Sequence, residues 1–253
     1  MLVMRRWLPA VLVVALSVAP AAGAVSIQEV LLRAKPAVAL VIVEVGAEVT
    51  LTCPGGRQRT VAPAPFRETS TGWFVDASGW LVTNAHTVSP AHEPLEWLLN
   101  DQAQKAARSA CGEAQGPAAA RAAKVKLDPA ISVMLLNGLR LAAAVAKYSR
   151  PVAGEAMSGR DLALLRLEAA DMPTLALGDS SGLKIGDRIH ILGFPGVVLS
   201  HELLNASAKA EASVTNGAVS GFKQDRSERS RSRSSTRGRR AVAGPASAGS
   251  RRP

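Results

Sequence analysis

The sequence predicts an all-β domain, a barrel or a sandwich. Three observations carry this prediction. Short β-branched and apolar runs recur along the chain, turn residues such as Asp-Ala-Ser-Gly and Asn-Gly separate them, and one segment alone has sustained helical spacing. Composition permits a buried core, since 47% of the 253 residues are hydrophobic and 20% are charged; wholesale disorder is excluded. Aromatic residues make up 4% and there are only 2 Cys, so this is not a disulfide-scaffolded miniprotein.

The elements follow in chain order. Arg5 and Arg6 precede an apolar run over residues 7–18, then Pro20 and the small residues Ala21-Ala22-Gly23-Ala24. A charged start, a short apolar stretch and an A-x-A site make a secretory signal peptide over residues 1–24, cleaved before Val25. An uncleaved anchor is the alternative, although the run is short for a span of ~20 residues and is bracketed by Pro9 and Pro20. The mature chain is then expected in a secreted or periplasmic setting, with no later membrane span. There Cys53 and Cys111 are able to pair, but sequence does not say whether the two sulfurs meet.

Residues 37–45 (AVALVIVEV) read as a strand, and residues 53–65, with three Pro and two Gly, as a loop. Residues 72–84 (GWFVDASGWLVTN) read as a hairpin. Over residues 94–123, Leu95, Leu98, Leu99, Ala103, Ala106, Ala107 and Ala110 recur near helical spacing and predict a surface helix. Residues 130–147 return to strands around an Asn137-Gly138 turn. Residues 161–167 (DLALLRL) and 188–194 (RIHILGF) are strands flanking a Gly, Asp and Ser-rich loop, and residues 207–222 have room for one more.

Beyond this the pattern stops. Ser, Arg, Gly, Ala and Pro dominate residues 223–253, which predicts a basic disordered tail. The charge divides at the same point. The tail has ten Lys/Arg and two Asp/Glu, or +8 of the formal +10, leaving twenty against eighteen and +2 for the rest. The body is nearly neutral, so the chain as a whole is not read as a nucleic-acid-binding domain. The Arg-Ser run at residues 229–234 is a compositional signal only, and a secreted chain rarely meets RNA.

The chemistry centres on His86, at the end of the hairpin's second strand, and Asp161, which opens the DLALLRL strand. A His held by a carboxylate is what a serine hydrolase needs. The carboxylate fixes the imidazole tautomer and stabilises the imidazolium formed when the ring takes the nucleophile's proton. Either residue alone is weak, because a single His is usually structural. The surrounding segments add more. T-G-W-F-V-D-A-S-G-W-L-V-T-N-A-H-T-V resembles the histidine motif of trypsin-like serine peptidases, and in particular of the bacterial Deg-type, or high-temperature-requirement, group. D-L-A-L-L-R-L resembles the aspartate motif of that group, L-G-D-S-S-G-L-K-I-G-D-R-I-H-I-L-G-F-P-G the segment opening its second barrel, and V-T-N-G-A-V-S-G-F the strand that follows.

The resemblance covers roughly residues 27–222. It implies a chymotrypsin-like double β-barrel over residues 25–222, with the first barrel complete and the second incomplete. It also implies His86 as general base, Asp161 as its orienting partner and polypeptide substrates. No cofactor is implied; the four His are widely spaced and no CxxC is present, so zinc has no support. Two departures stand out. Asp161 lies 75 positions after His86, longer than usual, and the helical segment accounts for this as a surface insertion, since loop-closure cost grows slowly with length. The second departure is the G-N-S-G-G-P motif, which should follow the last strand and supply the nucleophile and oxyanion donors. It is missing. Gly178-Asp179-Ser180-Ser181-Gly182 imitates it but lies 17 residues after Asp161, in the inter-barrel segment. Ser220 is not a nucleophile elbow either, because Ala218 stands where Gly is needed. The expectation is a serine-endopeptidase homologue, inactive as written, or a non-catalytic peptide-binding module of the same fold. The abrupt change of composition suggests a shifted reading frame, with a natural basic tail as the alternative.

Overall fold

The computed structural model describes residues 25–93, 95–149, 161–199, 211–223 and 240–245. The expected signal peptide, and the expected tail apart from residues 240–245, lie outside them. Helix α1 (Ile27–Ala34) leads into β1 (Val38–Thr52), followed by β2 (Gln58–Val61), β3 (Phe66–Asp76) and β4 (Trp80–Thr83). Next come α2 (Ala85–His92), α3 (Glu96–Cys111), α4 (Gly116–Arg121), β5 (Lys124–Met134), β6 (Arg140–Ser149) and β7 (Leu162–Leu167). The second part holds β8 (Arg188–Gly193), the short α5 (Gly196–Leu199), β9 (Ser213–Lys223) and β10 (Arg240–Pro245).

The first sheet runs β2-β1-β3-β4-β7-β6-β5, and β5 pairs back onto β1. Six antiparallel strands therefore close into a barrel, which removes the unpaired edges an open sheet would leave. β1 makes this closure possible by its length. Its residues 38–45 pair with β3, its residues 40–50 pair with β5 on the opposite edge, and its end pairs with β2. Pro129 sits within β5, opposite Val45. It is tolerated there because β5 pairs with β6 only over residues 132–134, so the missing N–H leaves no second ladder broken.

Alternation places Val41, Val43 and Val45 in the barrel interior with Phe74, Leu81, Leu165 and Leu167. At the start of β1 the alternation gives way to four consecutive buried residues, Val38 to Val41. Both faces are covered there. Ala39 and Val41 face the barrel core, while Val38 and Leu40 pack outward against Phe194 and Ala212 of the second part. Gly72 lies where β3 crosses the interior. A Cβ on it would meet Leu81 Cδ2 at 2.3 Å and Val41 Cγ2 at 3.0 Å, so only Gly fits.

The helical insertion is present as α3 and α4, split at Gly112, whose φ of 80° ends α3. Its alanines, Ala106, Ala107 and Ala119, pack on Val49 and Leu51 of β1. Cys53 and Cys111 are joined as a disulfide, with Cα atoms 5.5 Å apart, tying the end of α3 to the end of β1. The second part is a three-stranded sheet ordered β10-β9-β8. β10 falls inside the segment expected to be a tail, and it pairs antiparallel with β9. The fold is mostly β and chymotrypsin-like, with a complete first barrel and three described strands in the second part.

Candidate active site

The site forms where β4 ends. Thr83 closes the strand, Asn84 occupies the N-cap of α2, and His86 is the second residue of that helix rather than the end of the strand as the sequence suggested. The first N–H groups of a helix have no partners inside it. Asn84 would ordinarily serve as the side-chain cap, yet its side chain makes no capping bond. Its amide turns instead to Asp161, donating to Oδ2 at 3.3 Å and to the backbone carbonyl at 3.4 Å. The His86 N–H donates to Asp161 Oδ1 at 2.9 Å. Asp161 thus caps α2 from the start of the neighbouring strand β7, at the end of the helix where negative charge is favoured.

The same carboxylate reaches the ring. His86 Nδ1 lies 2.7 Å from Asp161 Oδ2. Burial pushes the Asp161 carboxyl up, but the His86 N–H, the His86 ring and the Asn84 amide together outweigh it and hold the group below the usual carboxylate range. An ionised carboxylate only accepts hydrogen bonds, so Nδ1 must carry the proton and donate. Nε2 is then the free basic nitrogen. The His86 side chain is 56% exposed against 29% for Asp161, so the ring faces solvent while its partner is half-buried. Asp161 itself adopts φ 36°, in the left-handed region. Asp is among the few residues that tolerate this, and the hydrogen bonds to its carboxylate help hold it there.

Neighbouring contacts fix this corner. Ser70 Oγ and Thr83 Oγ1 are 2.9 Å apart, and the Thr83 hydroxyl donates to the Thr71 carbonyl at 3.0 Å. Thr71 also receives the second part, because the Phe194 N–H donates to its Oγ1 at 2.9 Å. Gly193 allows this approach, since a Cβ there would lie 2.7 Å from that oxygen. A depression of about 380 Å³ opens between the two parts, lined by Thr71, Trp73, Asn84, Ile191, Phe194 and Thr215 among others.

The two residues singled out from the sequence, His86 and Asp161, are brought together. The serine candidates are placed differently. Ser181 is tied into a local turn, with its N–H and hydroxyl donating to the Asp179 carboxylate at 2.8 and 2.6 Å. Ser220 lies on β9, exposed. Sequence reasoning gave no role to Asn84, although it stood within the quoted motif. It also missed Glu68, a half-buried carboxylate on β3 that the charge of His86 acts on. Among the described residues no cluster of His, Cys, Asp and Glu could hold a metal ion, and no helix is long and apolar enough to cross a membrane.

A family profile described as trypsin-like peptidase domain matches residues 70–250. No curated protein matches the sequence. Among solved structures, the chain is similar to an HtrA-type protease, AlgW, with a decapeptide, at 18% identity and a TM-score of 0.44, over 80% of this chain and 47% of that one. The same protease with a tripeptide gives 19% identity and a TM-score of 0.42, over 78% and 40%. The chain therefore spans less than half the length of these structures.

Proposed function

The chain belongs to the trypsin-like peptidase family, and from that premise we propose that it is a secreted or periplasmic, Deg-type serine-endopeptidase homologue whose His86–Asp161 pair is assembled and whose 253 residues hold no recognisable nucleophile motif. The observation that carries the reading is the two-point grip of Asp161 on His86, through both the backbone N–H and Nδ1. This fixes the ring's tautomer and aims Nε2 outward. In a complete site Nε2 would take a hydroxyl proton, and Asp161 would stabilise the resulting imidazolium. These 253 residues contain no Gly-x-Ser-Gly-Gly pattern, which would place such a hydroxyl beside backbone N–H donors.

A second reading is favoured by the depression beside Asn84, largely walled by apolar groups such as Trp73, Ile191 and Phe194. On that reading the protein binds polypeptide segments without cleaving them, since binding and chemistry use different groups. Incubation with casein, and with a fluorophosphonate probe, tests the first reading. We expect no hydrolysis and no labelled serine. Stoichiometric labelling of Ser180, Ser181 or Ser220 that is abolished by His86→Ala would overturn it. Calorimetric titration with unstructured peptides tests the second, which requires saturable binding without product.

A further inference from the structure

The histidine side of this site has a feature that the His–Asp pair does not use. β3 alternates, and Phe66, Glu68 and Ser70 lie on one face, each partly buried between exposed Arg67 and Thr69. Ser70 contacts Thr83, which precedes the Asn84 N-cap of α2, so this face of β3 leads to the corner where His86 stands. Two residues from Glu68, Phe66 meets Trp97 of α3 edge to face, with ring centroids 5.3 Å apart and planes at 75°. Trp97 remains 47% exposed, and Leu95 beside it 43%. The helical insertion thus extends the site with a wall running from Trp97 through Phe66 and Glu68 toward His86.

Glu68 is the unusual member. Its neighbour Arg67, on the opposite face, is engaged by Glu44 at 2.7 Å. Among the described residues no hydrogen bond or ion pair holds the Glu68 carboxyl. Burial raises its protonation range, and the charge of His86 opposes that shift. Asp161, by contrast, is answered by three N–H groups. A partly desolvated carboxylate without a donor is costly unless a cation arrives to pair with it. Trp97, held against Phe66 two residues along the strand, offers an exposed aromatic face to the aliphatic stem of such a cation, or to its charge over the ring.

We propose that Glu68, with Phe66 and Trp97, forms a subsite selecting a Lys or Arg side chain of a polypeptide laid across His86. The inference rests on the peptide-handling reading above. Its test compares two peptides identical except for Lys or norleucine at one position, titrated calorimetrically into the purified protein and its Glu68→Gln, Glu68→Lys and Trp97→Ala variants. The unmodified protein is expected to prefer the Lys peptide by about five-fold, the size of a partly exposed ion pair. Glu68→Gln should remove the preference and leave norleucine-peptide binding unchanged. Glu68→Lys should reverse it, and Trp97→Ala should weaken both peptides together. Equal binding of the two peptides, or an unchanged preference in Glu68→Gln, overturns this subsite while leaving the peptide-handling reading in place. Failure of both peptides to bind overturns that reading and the subsite with it.

Discussion

Asp161 is where conformation, stability and chemistry meet. Its carboxylate caps α2, orients His86 and accepts from Asn84, at a backbone angle that most residues avoid. Since its folded-state pKa is depressed, the stabilisation it provides is present above the unfolded value, about 3.9. It is lost as pH falls through the lower folded value. Asp161→Asn keeps the tolerance for φ 36° but removes the charge. We expect it to lower stability by about 1–2 kcal/mol at pH 7, in the range of charge-assisted hydrogen bonds at a partly exposed site. The difference from the unmodified protein should shrink toward pH 3. Denaturant melts at several pH values measure this, and a gap that stayed constant with pH would show that the charge is not what stabilises. Glu44, held low chiefly by its bond to Arg140 and resisted by burial, has the same sign in both proteins and cancels from the comparison. The pair itself was legible in the sequence because both residues sit in long, distinctive motifs. The two-point grip was not, since it depends on where a helix N-terminus meets a strand 75 positions later.

At the scale of elements, the alternating runs and the Asn137-Gly138 turn were readable, as was the alanine-rich periodicity that became α3 and α4. Three features were harder. β1 extends to Thr52, well past the apolar run, because pairing with β5 and β2 holds residues whose own preferences are weaker. α2 is only eight residues long, carries two β-branched residues and Pro90, and has no helical pattern to detect. β10 has a tail-like composition, and its pairing with β9 has no local sequence signal. The Cys53–Cys111 bond belongs with these, because two cysteines 58 positions apart say nothing about the distance between them. It closes a loop containing β2, β3, β4, α2 and α3. Chain-entropy reasoning gives such a crosslink a stabilisation on the order of 4 kcal/mol. We expect Cys53→Ala with Cys111→Ala to shift the urea midpoint by about that amount divided by the slope. Amides of α3, packed through small alanines on Val49 and Leu51, should exchange first. Loss of less than about 1 kcal/mol would mean that the insertion is held by packing alone.

The two parts of the molecule differ in how well they bury themselves. The barrel closes on itself through β1 and β5, and its core includes Phe74, Leu81, Leu98, Leu165 and Leu167, all fully buried. The second sheet has three described strands, and Ile191 and Val214 on it, with Leu177 and Ile185 before it, are exposed. Its main anchorage is the small group of Val38, Leu40, Phe194 and Ala212, together with the Thr71–Phe194 hydrogen bond. Local opening costs least where few apolar contacts must be broken. Hydrogen exchange should therefore find strong protection in β1, β3, β4 and β7 and exchange at least about 100-fold faster in β8 and β9, a difference of some 2.7 kcal/mol at equilibrium. Equal protection in the two parts would show that the second sheet is completed by residues beyond those described. This bears on catalysis. A nucleophile must be held within hydrogen-bond reach of Nε2, and the oxyanion donors beside it must be rigid before the substrate arrives. The barrel holds His86 and Asp161 firmly enough for the proposed roles of base and orienting partner. The opposite wall, where the hydroxyl belongs, would have to be built on the less buried sheet. Losing the nucleophile of such a triad costs about 10⁶-fold in turnover, which no feature of His86 or Asp161 offsets. We therefore expect peptide hydrolysis at the background rate from these 253 residues alone. If another reading frame of the coding DNA restores G-N-S-G-G-P after β9, the protein translated from it should hydrolyse peptides. That activity should fall to background in both His86→Ala and the serine-to-alanine variant, and activity surviving either would show that this His–Asp pair is not its catalytic base.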